Sequence, residues 1–294
     1  MSSSLRVALA QHAMGPDREA NLQRSLQAIT GAAEKGAQLV VLPELHSCEY
    51  FCKYQAPDLY ELAEPLDGST VAVLSQAAKT HNLVIVGSIF ERRAAGLAHN
   101  TAVVIERDGS LAGHYRKMHI PDDPGYNEKF YFTPGDQGFE PIKTSLGLLG
   151  VLVCWDQWFP EAARLMALSG ADVLIYPTAI GFDPADNQDE QTRQLDAWRT
   201  VQRGHAVANG LPVLACNRVG FEPDRSGGSH PAHFWGHSFA AGPQGEMLAE
   251  ADTDEQLLIV DLDRQRSEHV RRIWPFLRDR RIDAYDDLLK RWRD

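Results

Sequence analysis

Cysteine is scarce, with only four residues in a chain of 294. Three of them, Cys48, Cys154 and Cys216, stand in or beside apolar runs. That excludes a disulfide framework and points to a reducing cytoplasm. Long apolar runs are also lacking. The longest, around residues 147–155, falls far short of the roughly 20 residues that span a bilayer. The stretch at 7–10 is too short for a signal-peptide core, so a soluble cytoplasmic protein is expected. Positive charge is in deficit: 29 Lys and Arg against 40 Asp and Glu, a net −11. A nucleic-acid or anionic-membrane partner is therefore disfavoured. Phosphate-binding signatures are missing as well. No Gly-rich loop ends in Gly-Lys-Ser/Thr, and no Gly-x-Gly-x-x-Gly follows the first strand. Gly227-Gly-Ser-His-Pro231 is no nucleophile elbow, because Pro231 replaces the last glycine.

What remains is an ordinary globular composition, 44% hydrophobic and 23% charged. Strand-like and helix-like patterns alternate along the whole chain. Strands are expected at 6–10, 38–42, 83–90, 101–106, 111–115, 148–154, 173–176, 212–216, 234–240, 246–249 and 257–261. Helices are expected at 17–35, 69–81, 160–169 and 191–209, with Gly36 stopping the first. Asp108-Gly109 and the segment Gly242-Pro-Gln-Gly245 read as hairpin turns. Hairpins among the helices imply a mixed sheet in one α/β domain. No linker divides the chain. The tail from Arg264 is charged and aromatic, too short to fold alone, and is expected to pack on another subunit.

Three polar residues are oddly placed. Glu44 follows the buried run Leu39-Val-Val-Leu-Pro43, Cys154 ends Gly150-Val-Leu-Val153, and Lys117 follows the strand at 111–115. Open α/β sheets deliver reactive groups at the carboxyl ends of strands. A thiol needs a neighbouring base or cation to act as nucleophile. Glu44 can take its proton and later activate water. Lys117 and the backbone N–H of Trp155 can stabilise an oxyanion. Taken singly, each residue has a plainer reading: an inert small hydrophobe, a cap, a solvated lysine.

The wording around them is more specific. Leu42-Pro-Glu-Leu45, Tyr115-Arg-Lys-Met-His-Ile-Pro121 and Gly150-Val-Leu-Val-Cys-Trp-Asp156 with Pro160-Glu161 resemble the nitrilase superfamily of carbon–nitrogen hydrolases. Asp123-Pro-Gly-Tyr-Asn-Glu-Lys-Phe-Tyr-Phe132, Pro134-Gly-Asp136, Tyr176-Pro-Thr-Ala179, Gly236-His-Ser-Phe239 and Trp274-Pro-Phe-Leu-Arg-Asp-Arg-Arg281 extend the likeness over the whole chain. The resemblance implies an α/β fold, a four-layer αββα sandwich over residues 5–263 with a C-terminal extension at 264–294 in an oligomer interface. It implies a homo-oligomer, dimer or larger, and no cofactor. It carries the family's catalytic glutamate, lysine and cysteine onto Glu44, Lys117 and Cys154, and its second glutamate onto Glu128, which would orient Lys117 or steer water. For Glu128 a salt bridge to Lys129 is the plainer alternative.

Within the superfamily the likeness is greatest to the N-carbamoylputrescine amidases, through Glu49-Tyr-Phe-Cys52, Asp122-Asp-Pro-Gly-Tyr126, Thr178-Ala-Ile-Gly181 and Asn217-Arg218. Cys154 is followed by Trp155-Asp-Gln-Trp-Phe159 with no cation, which disfavours an acidic substrate, since a guanidinium is a carboxylate's preferred partner. A small cationic carbamoyl amine is expected instead, with Tyr126 lining its site. Its ammonium is held by one of the nearby carboxylates Asp183, Asp186, Asp189, Glu190, Asp122 or Asp123, with Asp183 the candidate taken. A solvated charged loop is the plainer reading of these residues. β-Ureidopropionase and ω-amidase are the alternatives within the superfamily. Outside it stand a binding protein on the same fold and a metal-dependent hydrolase using His230, His233 and His237 or His46, Cys48 and Cys52. The histidines do not share a helix face, and the second set lacks a fourth clear ligand of zinc type, so no metal is expected.

Overall fold

Alternating side chains organise the first half of the chain. In the computed structural model, which describes residues 4–183, 185–228 and 231–293, strand β1 (Ser4–Gln11) buries both of its faces. Leu5, Val7 and Leu9 point one way, and Ala8 and Ala10 the other. The same two-residue period runs through β2 (Leu39–Val41), β3 (Val84–Ala94) and β4 (Leu97–Ile105). One set of side chains meets helices α1 (Arg18–Glu34) and α2 (Ser69–His81), and the other meets a second sheet. Strand β5 (Leu111–Arg116) completes this half after the Asp-Gly turn.

The second half repeats the plan. After the short helix α3 (Glu128–Tyr131) come β6 (Ile142–Thr144), β7 (Gly147–Val151), α4 (Pro160–Leu168) and β8 (Val173–Thr178). Then follow β9 (Gly181–Phe182), α5 (Gln188–Asn209), β10 (Val213–Asn217), β11 (Val219–Glu222) and β12 (Ala232–Trp235). The chain closes with β13 (Phe239–Ala241), β14 (Met247–Glu250), β15 (Gln256–Asp263) and α6 (Arg264–Ile273).

One six-stranded sheet has the order β15-β1-β2-β3-β4-β5, and the other β14-β13-β10-β8-β7-β6. In each, three central parallel strands are flanked by antiparallel ones. Apolar residues from both sheets form one core, which continues through the second sheet to Ala162, Ala163, Met166, Trp198 and Ala206 on α4 and α5. The layers therefore run helix, sheet, sheet, helix: the αββα sandwich. Among the described residues no helix is long and apolar enough to cross a membrane.

Three local expectations are corrected. The run at 148–154 is not strand to its end: pairing stops at Val151, and Cys154–Trp158 is a 3₁₀ turn. The run at 234–240 is broken at His237, whose φ is +53°. Its first part, β12, joins a separate three-stranded sheet, β11-β12-β9, while β13 joins the second large sheet. The tail begins with helix α6, capped by the Asp263 side chain on the N–H groups of Gln265 and Arg266. Only Val270 and Ile273 are apolar among its ten residues, too few to mark it as a helix by an apolar repeat.

Candidate active site

The carboxyl ends of β2, β5 and β7 supply the three residues singled out above. Glu44 lies three residues beyond β2, Lys117 one beyond β5 and Cys154 three beyond β7. The backbone N–H of Glu44 crosses between the sheets to Thr178 O at 3.4 Å, which seats the glutamate at their shared edge. Its neighbour Leu45 has φ +49°, and Cys154 itself has φ +41°. Non-glycine residues rarely adopt this conformation, and they hold it where surrounding structure enforces it, commonly at reactive sites.

Glu44, Lys117 and Glu128 meet as one buried cluster. Lys117 Nζ donates to Glu44 Oε1 at 2.8 Å and to Glu128 Oε2 at 2.7 Å, with all three side chains at most 1% exposed. Lys117 is thus no solvated lysine, and Glu128 pairs with it rather than with Lys129. Glu128 Oε1 accepts the Tyr50 hydroxyl at 2.7 Å. Glu44 Oε1 also accepts Asn100 Nδ2 at 2.6 Å, whereas its Oε2 is buried with no hydrogen-bond partner among the described residues. One carboxylate oxygen is anchored and the other is free to take a proton.

Cys154 shares this electrostatic environment. Burial and the charge of Glu44 push its thiol well above the usual range, against the opposing pull of Lys117, so it rests neutral. Burial opposes the charge on Lys117, but Glu128 and Glu44 outweigh it and hold the ammonium well above the usual lysine range. Burial lifts Glu128 to about 7, with Lys117 pulling it down and Glu44 adding to the rise. The Cys154 Sγ lies 3.8 Å from Ala179 O. Trp155, half-buried, is the second residue of the 3₁₀ turn. The first N–H groups of such a turn have no partner within it, so they are available to an oxyanion.

A match to the carbon–nitrogen hydrolase family model spans residues 6–272. The chain belongs to the carbon–nitrogen hydrolase family. It is 43% identical over 286 residues to an N-carbamoylputrescine amidase of Solanum tuberosum, covering 96% of this chain and 94% of that one. It is 40% identical to a citrullinase of Francisella tularensis, covering 99% of this chain and all of the other. A carbon–nitrogen hydrolase crystal structure from Helicobacter pylori superposes with a TM-score of 0.97 at 52% identity, covering 99% and 100% of the two chains.

In this carbon–nitrogen hydrolase, Tyr126 sits beside the cluster. Its hydroxyl accepts the Gly181 N–H at 3.3 Å, and its ring packs 5.5 Å from that of Tyr50. Burial and Cys154 both raise its phenol. Asp183 is placed differently. It is exposed beyond β9, and its carboxylate accepts the Ala185 N–H at 2.8 Å within its own loop. Of the residues proposed for a metal, His230 lies outside the described residues. His46 Nδ1 bonds Ser25 Oγ at 3.0 Å, Cys48 Sγ donates to Leu45 O, Cys52 is buried, His233 is exposed, and His237 faces Glu250. Among the described residues no three His, Cys, Asp or Glu side chains are grouped to hold a metal ion.

Several supporting residues escaped the sequence reading. Asn100 anchors Glu44, and the fully buried polar triplet His99-Asn100-Thr101 in an otherwise apolar strand was its signal. Asp156 ties the cysteine turn to the lysine strand. Its Oδ2 accepts Tyr115 OH and Val153 N, each at 2.9 Å, and its Oδ1 accepts His119 N at 3.0 Å. Tyr50 stands in the Glu49-Tyr-Phe-Cys52 stretch without an assigned role, because only the fold brings its hydroxyl to Glu128.

Proposed function

We propose that this chain hydrolyses N-carbamoylputrescine to putrescine, carbon dioxide and ammonia. The observation that carries the chemistry is the unpartnered Oε2 of Glu44 in a buried cluster that also holds Lys117, Glu128 and Cys154. Because the thiol rests neutral, attack is coupled to proton transfer. Cys154 Sγ bonds to the ureido carbon as Glu44 Oε2 takes the thiol proton. Lys117 and the Trp155 N–H stabilise the tetrahedral oxyanion. The carbon–nitrogen bond to the terminal NH2 breaks, and that nitrogen leaves as ammonia with the proton from Glu44. A thiocarbamate remains on sulfur. Water then attacks its carbon, Glu44 takes one water proton, and the carbon–sulfur bond breaks with the proton returned to sulfur. The released carbamate loses carbon dioxide to give the diamine. No cofactor enters any step.

The substrate assignment rests on the amidase relatives and on the residues after Cys154, which bring no cation. Asp183 supplies the ammonium contact if its loop turns inward on binding, with Tyr126 lining the site. The citrullinase relative supports a second reading, since citrulline carries the same ureido end. Ammonia release from N-carbamoylputrescine, N-carbamoyl-β-alanine, glutaramate and L-citrulline separates these, and N-carbamoylputrescine is expected to show the highest kcat/KM. Cys154→Ala is expected to abolish release while leaving the fold intact, and near-normal release by that variant refutes the mechanism.

The four free cysteines fit a reducing cytoplasm as its location. The tail from residue 264 exposes Trp274, Ile282, Leu288, Leu289 and Trp292, the last two at 95% and 82%. Apolar surface of that kind is unusual on a monomer, and we infer that it packs on a second copy of the chain. Light scattering is expected to give a dimer or larger mass, reduced by Leu289→Asp.

A further inference from the structure

Arg218 is a guanidinium with no exposure to solvent, and nothing in the chemistry above uses it. It lies just past β10, and its own N–H donates to Thr178 O, the same carbonyl that receives the Glu44 N–H. Its side chain reaches back under the glutamate. Nη2 donates to Glu44 O at 2.6 Å and to Leu45 O at 3.1 Å, and Nη1 donates to Cys48 O at 3.3 Å. The strained Leu45 conformation is thereby pinned from below.

Nη1 also pairs with Glu222 Oε1 at 2.7 Å, both groups being buried. The other oxygen of Glu222 accepts the Tyr50 N–H at 2.6 Å. Tyr50 is the residue whose hydroxyl holds Glu128. The pair therefore grips one segment at two points: the backbone of Glu44, and the backbone of Tyr50. Those points control the two carboxylates that bracket Lys117. The guanidinium also stacks 5.1 Å from the Phe234 ring, which fixes its plane.

We propose that Arg218 and Glu222 are positioning residues, a buried clamp that sets Glu44 and Glu128 against Lys117 for the reaction. This rests on the hydrolase reading above. Removing the clamp lets both carboxylates shift, and a misplacement of about 1 Å is enough to cost roughly 100-fold in rate. Substrate binding depends on other groups, so the loss falls on kcat.

The test measures ammonia release and its pH profile for Arg218→Ala, Arg218→Lys, Glu222→Gln and the control Arg225→Ala. The control removes a nearby exposed ion pair with Glu49. Arg218→Ala is expected to lose about 100-fold in kcat with KM within about threefold. Added guanidinium is expected to restore at least about tenfold of that loss, as a planar fork can re-enter the slot where lysine cannot. Arg225→Ala is expected to behave as wild type. If Arg218→Ala does not fold, Glu222→Gln decides, since it keeps an acceptor for Tyr50 but loses the pair. A folded Arg218→Ala or Glu222→Gln with kcat within about threefold of wild type overturns the clamp. So does a loss carried wholly by KM. Cys154→Ala separates the two ideas: if it stays active the hydrolase reading fails, and if it is inactive beside a normal Arg218→Ala only the clamp fails.

Discussion

Glu44→Gln separates the base from the nucleophile. Glutamine keeps the size of glutamate, and its carbonyl oxygen can still accept from Lys117 Nζ and Asn100 Nδ2, which stand at 2.8 and 2.6 Å from Oε1. Its amide nitrogen then occupies the place of the free Oε2, which cannot take a proton. Loss of a positioned general base costs roughly 10²- to 10⁴-fold, about 3–5 kcal/mol on the barrier. The thiol should respond in the opposite sense. Glu44 helps to hold the Cys154 thiol high, while Lys117 pulls it down. Removing the Glu44 charge lowers the thiol midpoint. Two assays read the two effects on one protein: ammonia release, and the rate of iodoacetamide alkylation against pH. The expected result is lost turnover with alkylation that begins at lower pH than in wild type. Turnover within tenfold of wild type, or a thiol midpoint that moves upward, refutes the assignment of Glu44 as base.

Three further outcomes are expected. Glu128, lifted to about 7, is ionised above that pH and protonated below it, so kcat/KM should fall as pH drops through about 7. Glu128→Gln should flatten that limb of the profile. Burial lowers His12 to about 4, so the folded state keeps it neutral while the unfolded chain takes up a proton below pH 6.5. Stability from this histidine is present above pH 6.5 and lost as pH falls towards 4. Urea unfolding of His12→Asn should therefore show a pH dependence between 7 and 5 shallower by about 2 kcal/mol than wild type. At Gly135 a Cβ would stand 2.1 Å from Arg116 O, beside the bond from Gly135 N to Lys117 O. Gly135→Ala must displace the lysine strand, with a stability loss of about 1–3 kcal/mol in the melt and a larger fractional loss of kcat.

Much of this molecule is legible along the chain, because the fold rests on local periods. Continuous apolar runs, the Asp-Gly hairpin and the helical spacing of α1, α2 and α5 are properties of short segments, and they place Glu44, Lys117 and Cys154 near strand ends. The motifs around those residues carry the family. Where the local rule fails, a backbone turn decides: Cys154 and His237, both at positive φ, leave strand geometry in the middle of strand-like sequence. The tail helix was missed for a different reason: its ten residues hold only two apolar side chains, Val270 and Ile273.

The sequence by itself determined most of the strands, the order of the reactive types and the absence of a disulfide framework among four cysteines. Only the tertiary structure decided what those groups are. A lysine is a surface residue until two carboxylates from distant segments surround it, and a thiol is inert until a free carboxylate oxygen is buried with it. Asn100, Tyr50, Asp156 and Arg218 act across 56, 78, 37 and 174 residues of chain. No local pattern encodes such distances. Burial supplies the rest, because removing water makes each of these charges dependent on its partners.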